Sequence, residues 1–249
     1  MRASASRVVA MIPARVGSTR LKLKNLALLC GKPLVAYAIE SAKAAGVFRR
    51  IVLNCDSEIF SEVAQRYGAE LYVRPRELGS STTHSDEVVQ DFMTRYPADA
   101  VAWVNTTSPL QPPEEIRGAV THFLEAGLDT LMTVKEEQVH CVLEGHPVNF
   151  TTDTRFARTQ DLVPVQRFVY SVMMWRTDTF LRTYQERRHA FFCGRVGYYP
   201  VSKRSSIIVK TAEDLILAEA ILRGMPSSPG AEIRYDPSAE HAAAGKAGG

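Results

Sequence analysis

The run Arg7-Val8-Val9-Ala10-Met11-Ile12-Pro13-Ala14-Arg15-Val16-Gly17-Ser18-Thr19-Arg20-Leu21-Lys22-Leu23-Lys24-Asn25 decides the fold class. Val8 to Ile12 are continuously apolar over the length of a strand, the pattern of a strand covered on both faces, so a buried strand is expected from Arg7 to Ile12. Four cations, Arg15, Arg20, Lys22 and Lys24, follow in or beside a turn softened by Gly17 and Ser18. In open α/β sheets such a turn lies at the ligand crevice, where these charges would meet an anion. The same charges could form a solvated basic turn, because runs of like charge usually face water. Neither GxxxxGK[ST] nor GxGxxG is present, so both common nucleotide fingerprints are missing.

Working outward, strand and helix patterns alternate. Pro33 can open a helix that Gly46 closes, with Leu34, Ala38, Ile39 and Ala42 on one face. Ile51 to Leu53 reads as a strand, and Asp56 or Ser57 can cap a helix running to Tyr67, which Gly68 ends. Ala100 to Val104 is a strand, Pro113 to Ala126 a helix stopped by Gly127, and Leu131 to Val134 another strand. Phe168 to Trp175 and Arg195 to Pro200 read as strands, and Ala212 to Leu222 as the last helix. This alternation predicts an α/β, doubly wound, mostly parallel sheet of the Rossmann-like kind. Periodicity breaks from Lys135 to Pro164, and so long an irregular segment inside a compact domain is usually functional. One domain is expected over residues 7–224, with that insertion at about 135–164. Residues 1–6 and 225–249 lack periodicity and are expected to be disordered ends.

Composition sets further bounds. In 249 residues, 45% are hydrophobic and 23% charged, which is enough to bury one sizeable core. A net charge of +3 with dispersed basic residues argues against nucleic acid as the main partner. Cys30, Cys55, Cys141 and Cys193 show no CxxC spacing, so neither a zinc site nor a disulfide scaffold is expected, and a reducing cytoplasm suits them. No apolar run approaches the length of a membrane span, and the first residues do not read as a secretion signal.

Six motifs, taken together, carry a family resemblance over roughly residues 7–224. The opening IPAR..S..L..KN, Asn54-Cys55-Asp56-Ser57, Arg74-Pro75-Arg76-Glu77-Leu78, Asn105-Thr106-Thr107-Ser108-Pro109-Leu110, Arg158-Thr159-Gln160-Asp161-Leu162 and Thr211-Ala212-Glu213-Asp214-Leu215 stand in this order. They resemble the CMP-sialic acid and CMP-KDO synthetases, cytidylyltransferases that activate sugar acids with CTP. The resemblance implies a nucleotidyltransferase fold, transfer of CMP to an anionic acceptor with release of pyrophosphate, and a homodimer in which the insertion reaches the partner's site. It also implies magnesium. The default acceptor is a sialic-acid-like or KDO-like sugar acid; relatives that activate small phosphonates, and a nucleotide-binding module without turnover, remain alternatives.

Carried over position by position, Arg15 and Lys24 would grip the triphosphate, a planar fork beside a mobile point charge. Ser18, Arg20, Ser80 and Ser108 join them as nucleotide-binding candidates. Asn25 matches a position that reads the base or ribose, or is a turn asparagine. Asn105 stands where the family has Gln, one methylene shorter. Arg158 and Gln160 in the insertion could meet an acceptor's carboxylate.

Two departures stand out. Ile208 and Lys210 replace aspartates that hold magnesium in the sialic acid branch, so the ion would be held mainly through CTP phosphates. Lys210 then becomes a candidate for catalysis and acceptor binding, or an ordinary surface charge. Ser171-Val172-Met173-Met174-Trp175 replaces an NGxxY motif, and Val172 in place of glycine is expected to shrink the acceptor pocket.

Overall fold

Side chains of the first strand alternate between two cores. Val8, Ala10 and Ile12 pack on one face of the sheet and Val9 and Met11 on the other, all essentially inaccessible to water. The structure, a computed structural model, describes residues 7–80 and 82–225. The expected disordered ends, apart from Met225, lie outside the described residues, as does Ser81.

The elements follow in chain order: β1 (Val8–Pro13), β2 (Leu28–Leu29), β3 (Lys32–Pro33), α1 (Leu34–Ala45), β4 (Arg50–Cys55), α2 (Ser61–Tyr67), β5 (Glu70–Val73) and α3 (Ser85–Arg95). Then come β6 (Ala100–Val104), α4 (Pro113–Glu125), β7 (Thr130–Glu137), β8 (Val142–Leu143), β9 (His146–Pro147), β10 (Val165–Arg176), α5 (Thr177–Arg187), β11 (Val196–Pro200) and α6 (Ala212–Gly224).

Seven strands form one sheet in the order β11-β7-β10-β6-β1-β4-β5. β1 pairs in parallel with both β4 and β6, β4 with β5, and β11 with β7. β10 runs antiparallel to both neighbours. Helices α1, α2 and α4 cover the face carrying Val8, Ala10 and Ile12, while α3 and α5 cover the other. The expected doubly wound, mostly parallel sheet is what the chain forms.

Local signals explain most boundaries. Gly68 ends α2 at φ 69°, a left-handed conformation that a β-carbon disfavours. Ser57 caps a short 3-10 turn, Glu58–Phe60, before α2 begins at Ser61, so the cap serves the turn. Gly118 sits inside α4, where an added β-carbon would collide with the Tyr199 hydroxyl of β11. Thr211 and Asp214 form a reciprocal capping box at the start of α6.

Besides the two-residue strands β2, β3, β8 and β9, the elements β5, α3 and α5 went unread in the sequence. β5 is a half-buried edge strand, and α5 carries only Phe180, Leu181 and Tyr184 as a thin apolar face. α3 was legible: Val88, Val89, Phe92 and Met93 share one helical face and are buried. β7 also runs beyond Val134 to Glu137, paired with the start of β10, so the irregular segment emerges from the end of a two-stranded arm. That segment holds the short β8–β9 hairpin and a 3-10 turn at Thr159–Asp161.

Trp175 centres the core beneath α5. It is fully buried, packs against Phe180 and Phe191 at centroid distances of 5.8 and 4.9 Å, and its Nε1–H donates to the Phe191 carbonyl at 2.9 Å. Trp175→Ala is expected to lower stability by about 3–5 kcal/mol through cavity formation. Guanidinium titration checks it: a lower midpoint at unchanged slope is expected, and a midpoint equal to wild type would contradict this account of the core.

Candidate functional site

The chain reverses its direction across the sheet between β1 and β6: after β1 it builds β4 and β5 on one side, then returns to lay β6 on the other. At such a switch point the loops leaving adjacent strands part and open a crevice. A cleft of about 330 Å³ lies there. Its walls are the loop after β1 (Ala14, Arg15, Ser18, Thr19, Arg20, Lys24, Asn25), Arg74, Leu78, Ser80, Thr83 and Ser85 after β5, and Asn105, Thr106 and Thr107 after β6.

The β1 loop is tied down through its backbone. Ala14 N–H donates to the Asn54 carbonyl at 2.8 Å, and Val16 N–H donates to the Asp56 carboxylate at 3.0 Å. Leu23 turns the chain at φ 50°, and Lys24 opens a 3-10 turn that delivers Asn25. The amide of Asn25 is buried: Nδ2 donates to the Arg15 carbonyl at 3.0 Å and Oδ1 accepts from Thr106 Oγ1 at 2.7 Å. Asn25 thus lines the cleft as a brace between the β1 and β6 loops.

Asn105 is similarly committed. Its Oδ1 accepts from Thr107 N–H and Oγ1 at 3.2 and 2.9 Å, and its Nδ2 donates to the Tyr170 carbonyl at 3.2 Å. Ser18 and Ser80 line the cleft, Ser80 hydrogen-bonded to Thr82 at 2.9 Å. Ser108 lies behind the lining, 4% exposed, with its hydroxyl unpartnered among the described residues. Lys22 is exposed and outside the lining, so it leaves the group of cations read from the first loop.

Sequence reasoning missed Arg74 and Trp103. Arg74 is 5% exposed and lines the cleft; its Nη1 donates to the Asn54 carbonyl at 2.6 Å and Nε to the Leu78 carbonyl at 3.2 Å. Burial pulls its guanidinium pKa down, and among the described residues no carboxylate pairs with it. Its place in the RPREL motif was the available signal. Trp103 lines the cleft with a buried indole N–H that has no partner among the described residues.

Lys210 stands outside the lining but close to it. Val209 is fully buried and its N–H donates to the Thr107 carbonyl at 2.8 Å, which fixes residue 210 beside the β6 loop. Its charge reaches Lys24. Arg158 and Gln160 are not brought to the cleft lining; they lie exposed on the arm, where Arg158 pairs with Asp161 at 2.8 Å.

The expectation for Val172 needs correction. Val172 is fully buried in the core with its N–H on Thr133 Oγ1, so its side chain cannot narrow the cleft. Ser171 is buried too, hydrogen-bonded to Gln111 at 3.0 Å and Thr133 at 3.1 Å. Both are buried because the sheet is covered on both faces here; Tyr170, in a bulge at φ 59°, is the neighbour left exposed.

Electrostatically the cleft is one-sided. Arg15, Arg20, Lys24 and Arg74 line it, and no aspartate or glutamate does among the described residues. The Lys24 pKa is held below the ordinary lysine value, first by desolvation and then by the charges of Arg20, Arg15 and Lys210, with Asp214 opposing. Four cations gathered in one cleft, none of them in an ion pair among the described residues, suit a polyanion. Among the described residues no cluster of His, Cys, Asp or Glu is arranged to hold a metal ion, and no helix is long and apolar enough to cross a membrane.

Comparison with known proteins adds to this geometry. The profile described as Cytidylyltransferase matches residues 9–216. An N-acylneuraminate cytidylyltransferase of Streptococcus agalactiae serotype V is 28% identical over 217 residues, 84% of this chain and 51% of that protein. A CMP-N,N'-diacetyllegionaminic acid synthase of Legionella pneumophila is 38% identical over 120 residues, 46% of this chain and 52% of that protein. The chain spans about half the length of these curated relatives. A structure of CMP:2-keto-3-deoxy-manno-octonic acid synthetase complexed with CTP matches the fold with a TM-score of 0.67 at 16% identity, covering 88% of this chain and 99% of that chain.

The lowered Lys24 pKa gives a pH prediction. With the cleft empty, charging Lys24 opposes folding, so its contribution to stability improves as pH rises through the lowered pKa toward the unfolded value. A bound polyanion favours the charged form and raises the pKa again. Binding of inorganic tripolyphosphate is therefore expected to take up protons, and to weaken, as pH rises through the free-protein pKa of Lys24. Calorimetry in buffers of different ionisation enthalpy measures the uptake. Lys24→Met should remove most of it, and equal uptake in that variant would overturn the assignment to Lys24.

Proposed function

The chain belongs to the cytidylyltransferase family, and from that premise we propose that it transfers CMP from CTP to an anionic acceptor and releases pyrophosphate. The observation that carries this reading is the cleft at the β1/β6 switch point, lined by Arg15, Arg20, Lys24 and Arg74 and by no carboxylate among the described residues. An acceptor oxygen attacks the α-phosphorus, the bond to the β-phosphate oxygen breaks, and negative charge gathers on the departing pyrophosphate. Arg15 and Arg20 offer planar forks to phosphate oxygens, Lys24 offers a charge that can follow the leaving group, and fixed cations of this kind stabilise the transition state. Asn25 and Asn105 keep the loops in place for this work. Base recognition by Asn25 would rest on its remaining N–H, since its other contacts are used internally.

A sugar acid is the acceptor favoured here, in keeping with the names of the relatives. A small phosphonate is the second reading, favoured by one observation: Ser171 and Val172 are turned into the core, so β10 brings neither to a sugar's hydroxyls. Magnesium is implied by the family, yet the donor set does not fit a protein-held ion. No carboxylate lines the cleft among the described residues. An ion accompanying CTP would have phosphates and water as its ligands. The chemistry assigned to this chain runs through its own cations.

Homodimerisation belongs to the same proposal. The arm exposes Val142, Leu143, Phe156 and Val163 at 64%, 69%, 79% and 74%, far more apolar surface than one short segment usually leaves to water. A second copy would cover it, and Arg158 and Gln160 on the same arm would then reach the partner's acceptor. The four free thiols suit a cytoplasmic location.

Arg15→Ala and Lys24→Ala are each expected to weaken CTP binding or turnover at least tenfold, since a charge-assisted hydrogen bond contributes about 1.5–3 kcal/mol. Mass detection of CMP conjugates across sugar acids and phosphonates, with UTP and ATP as controls, identifies the acceptor. Equal use of all three nucleotides, or unchanged kinetics in both variants, would sink the reading. Phe156→Asp should shift the protein toward monomer in sedimentation. A wild type that sediments as a monomer at all concentrations would end the dimer proposal.

A further inference from the structure

Two of the carboxylates near the cleft cations, Asp56 and Asp214, are occupied mainly by backbone N–H groups. Asp56 accepts the Val16 N–H with both oxygens, at 3.0 and 3.3 Å. Asp214 Oδ2 accepts from Lys210 N–H, Thr211 N–H and Thr211 Oγ1 at 2.9, 2.8 and 2.9 Å, which closes the start of α6. Their charge fixes loops and leaves the cleft cations without a paired anion within 4 Å among the described residues.

Lys210 occupies the place where the family likeness implies a metal-holding aspartate. Its backbone is held from two sides, by the Val209–Thr107 hydrogen bond and by Asp214, while its side chain takes no part in either contact and is exposed. A lysine there would repel a divalent ion and attract phosphate. Being a rigidly based cation at the cleft rim, it adds a fifth positive charge to Arg15, Arg20, Lys24 and Arg74.

We propose that Lys210 is a triphosphate-binding residue which, with the cleft cations, replaces a protein-held divalent ion, so that this chain binds the nucleotide without needing a metal. The inference rests on the proposed CTP reading and deepens it. It also moves Lys210 from the acceptor side to the triphosphate side, because the Val209–Thr107 hydrogen bond holds its backbone beside the cleft wall while Arg158 lies on the arm. The depressed Lys24 pKa, to which Lys210 contributes, is in keeping with this grouping.

The test is calorimetric titration of CTP, with no acceptor present, into the full chain in excess EDTA and in excess magnesium chloride. Wild type is expected to bind in EDTA within about threefold of its affinity in magnesium, a difference under 1 kcal/mol. In EDTA, Lys210→Ala should lose about tenfold, in keeping with one charge-assisted contact, and Lys210→Arg should stay near wild type. Lys210→Asp should lose more in EDTA and regain affinity in magnesium. Because only the backbone of Lys210 makes hydrogen bonds, all three variants should melt near the wild-type temperature. Binding by wild type only in magnesium, or Lys210→Ala binding as wild type in EDTA, overturns this inference and leaves the proposed function standing. A wild type that binds CTP in neither condition overturns both.

Discussion

The buried amide of Asn25 joins the β1 and β6 walls of the cleft, donating to the Arg15 carbonyl and accepting from the Thr106 hydroxyl. β1 and β6 are neighbours in the sheet, but the loops leaving them diverge because the chain reverses direction at that point. Divergence opens the cleft and would also let the loops drift. A buried hydrogen-bonded side chain resists that drift, since losing either partner would leave a polar group desolvated and unmatched. Asn105 does the same work one layer further on, linking the β6 loop to the bulge in β10.

A second constraint is electrostatic. Gathering cations in a partly desolvated cleft opposes folding, and the lowered pKa values of Lys24 and Arg74 are the signs of that opposition. The fold tolerates it because Asp56 and Asp214 secure the backbone on either side, so the loops hold their shape without neutralising the charges they carry. A site built in this way is strained until an anion arrives. The metal-free triphosphate binding proposed here follows from that balance.

The arm is governed by different physics. β7 and β10 continue their pairing to Glu137 and Val165, beyond the body of the sheet, and the segment between them leaves Val142, Leu143, Phe156 and Val163 largely exposed, Phe156 stacked on His140. In the proposed dimer the hydrophobic effect would act between copies, with Arg158 and Gln160 carried on the same arm.

The sequence by itself determined the strands and helices whose patterns are local. Continuous apolar runs marked β1 and β6, helical spacing marked α1 and α4, and glycines at positive φ marked their ends, because each of these depends on near neighbours along the chain. The cationic loop and the order of the motifs were legible for the same reason. Only the tertiary structure decided that β10 runs antiparallel, that Val172 faces the core and Tyr170 does not, and that Arg74, distant in sequence, joins Arg15. It also decided that Asn25 and Asn105 spend their amides on contacts within the protein, and that Lys210 stands beside the β6 loop. Strand direction, the phase of a bulge and the partner of a buried amide are set by packing between segments far apart in the chain, and no local pattern encodes them.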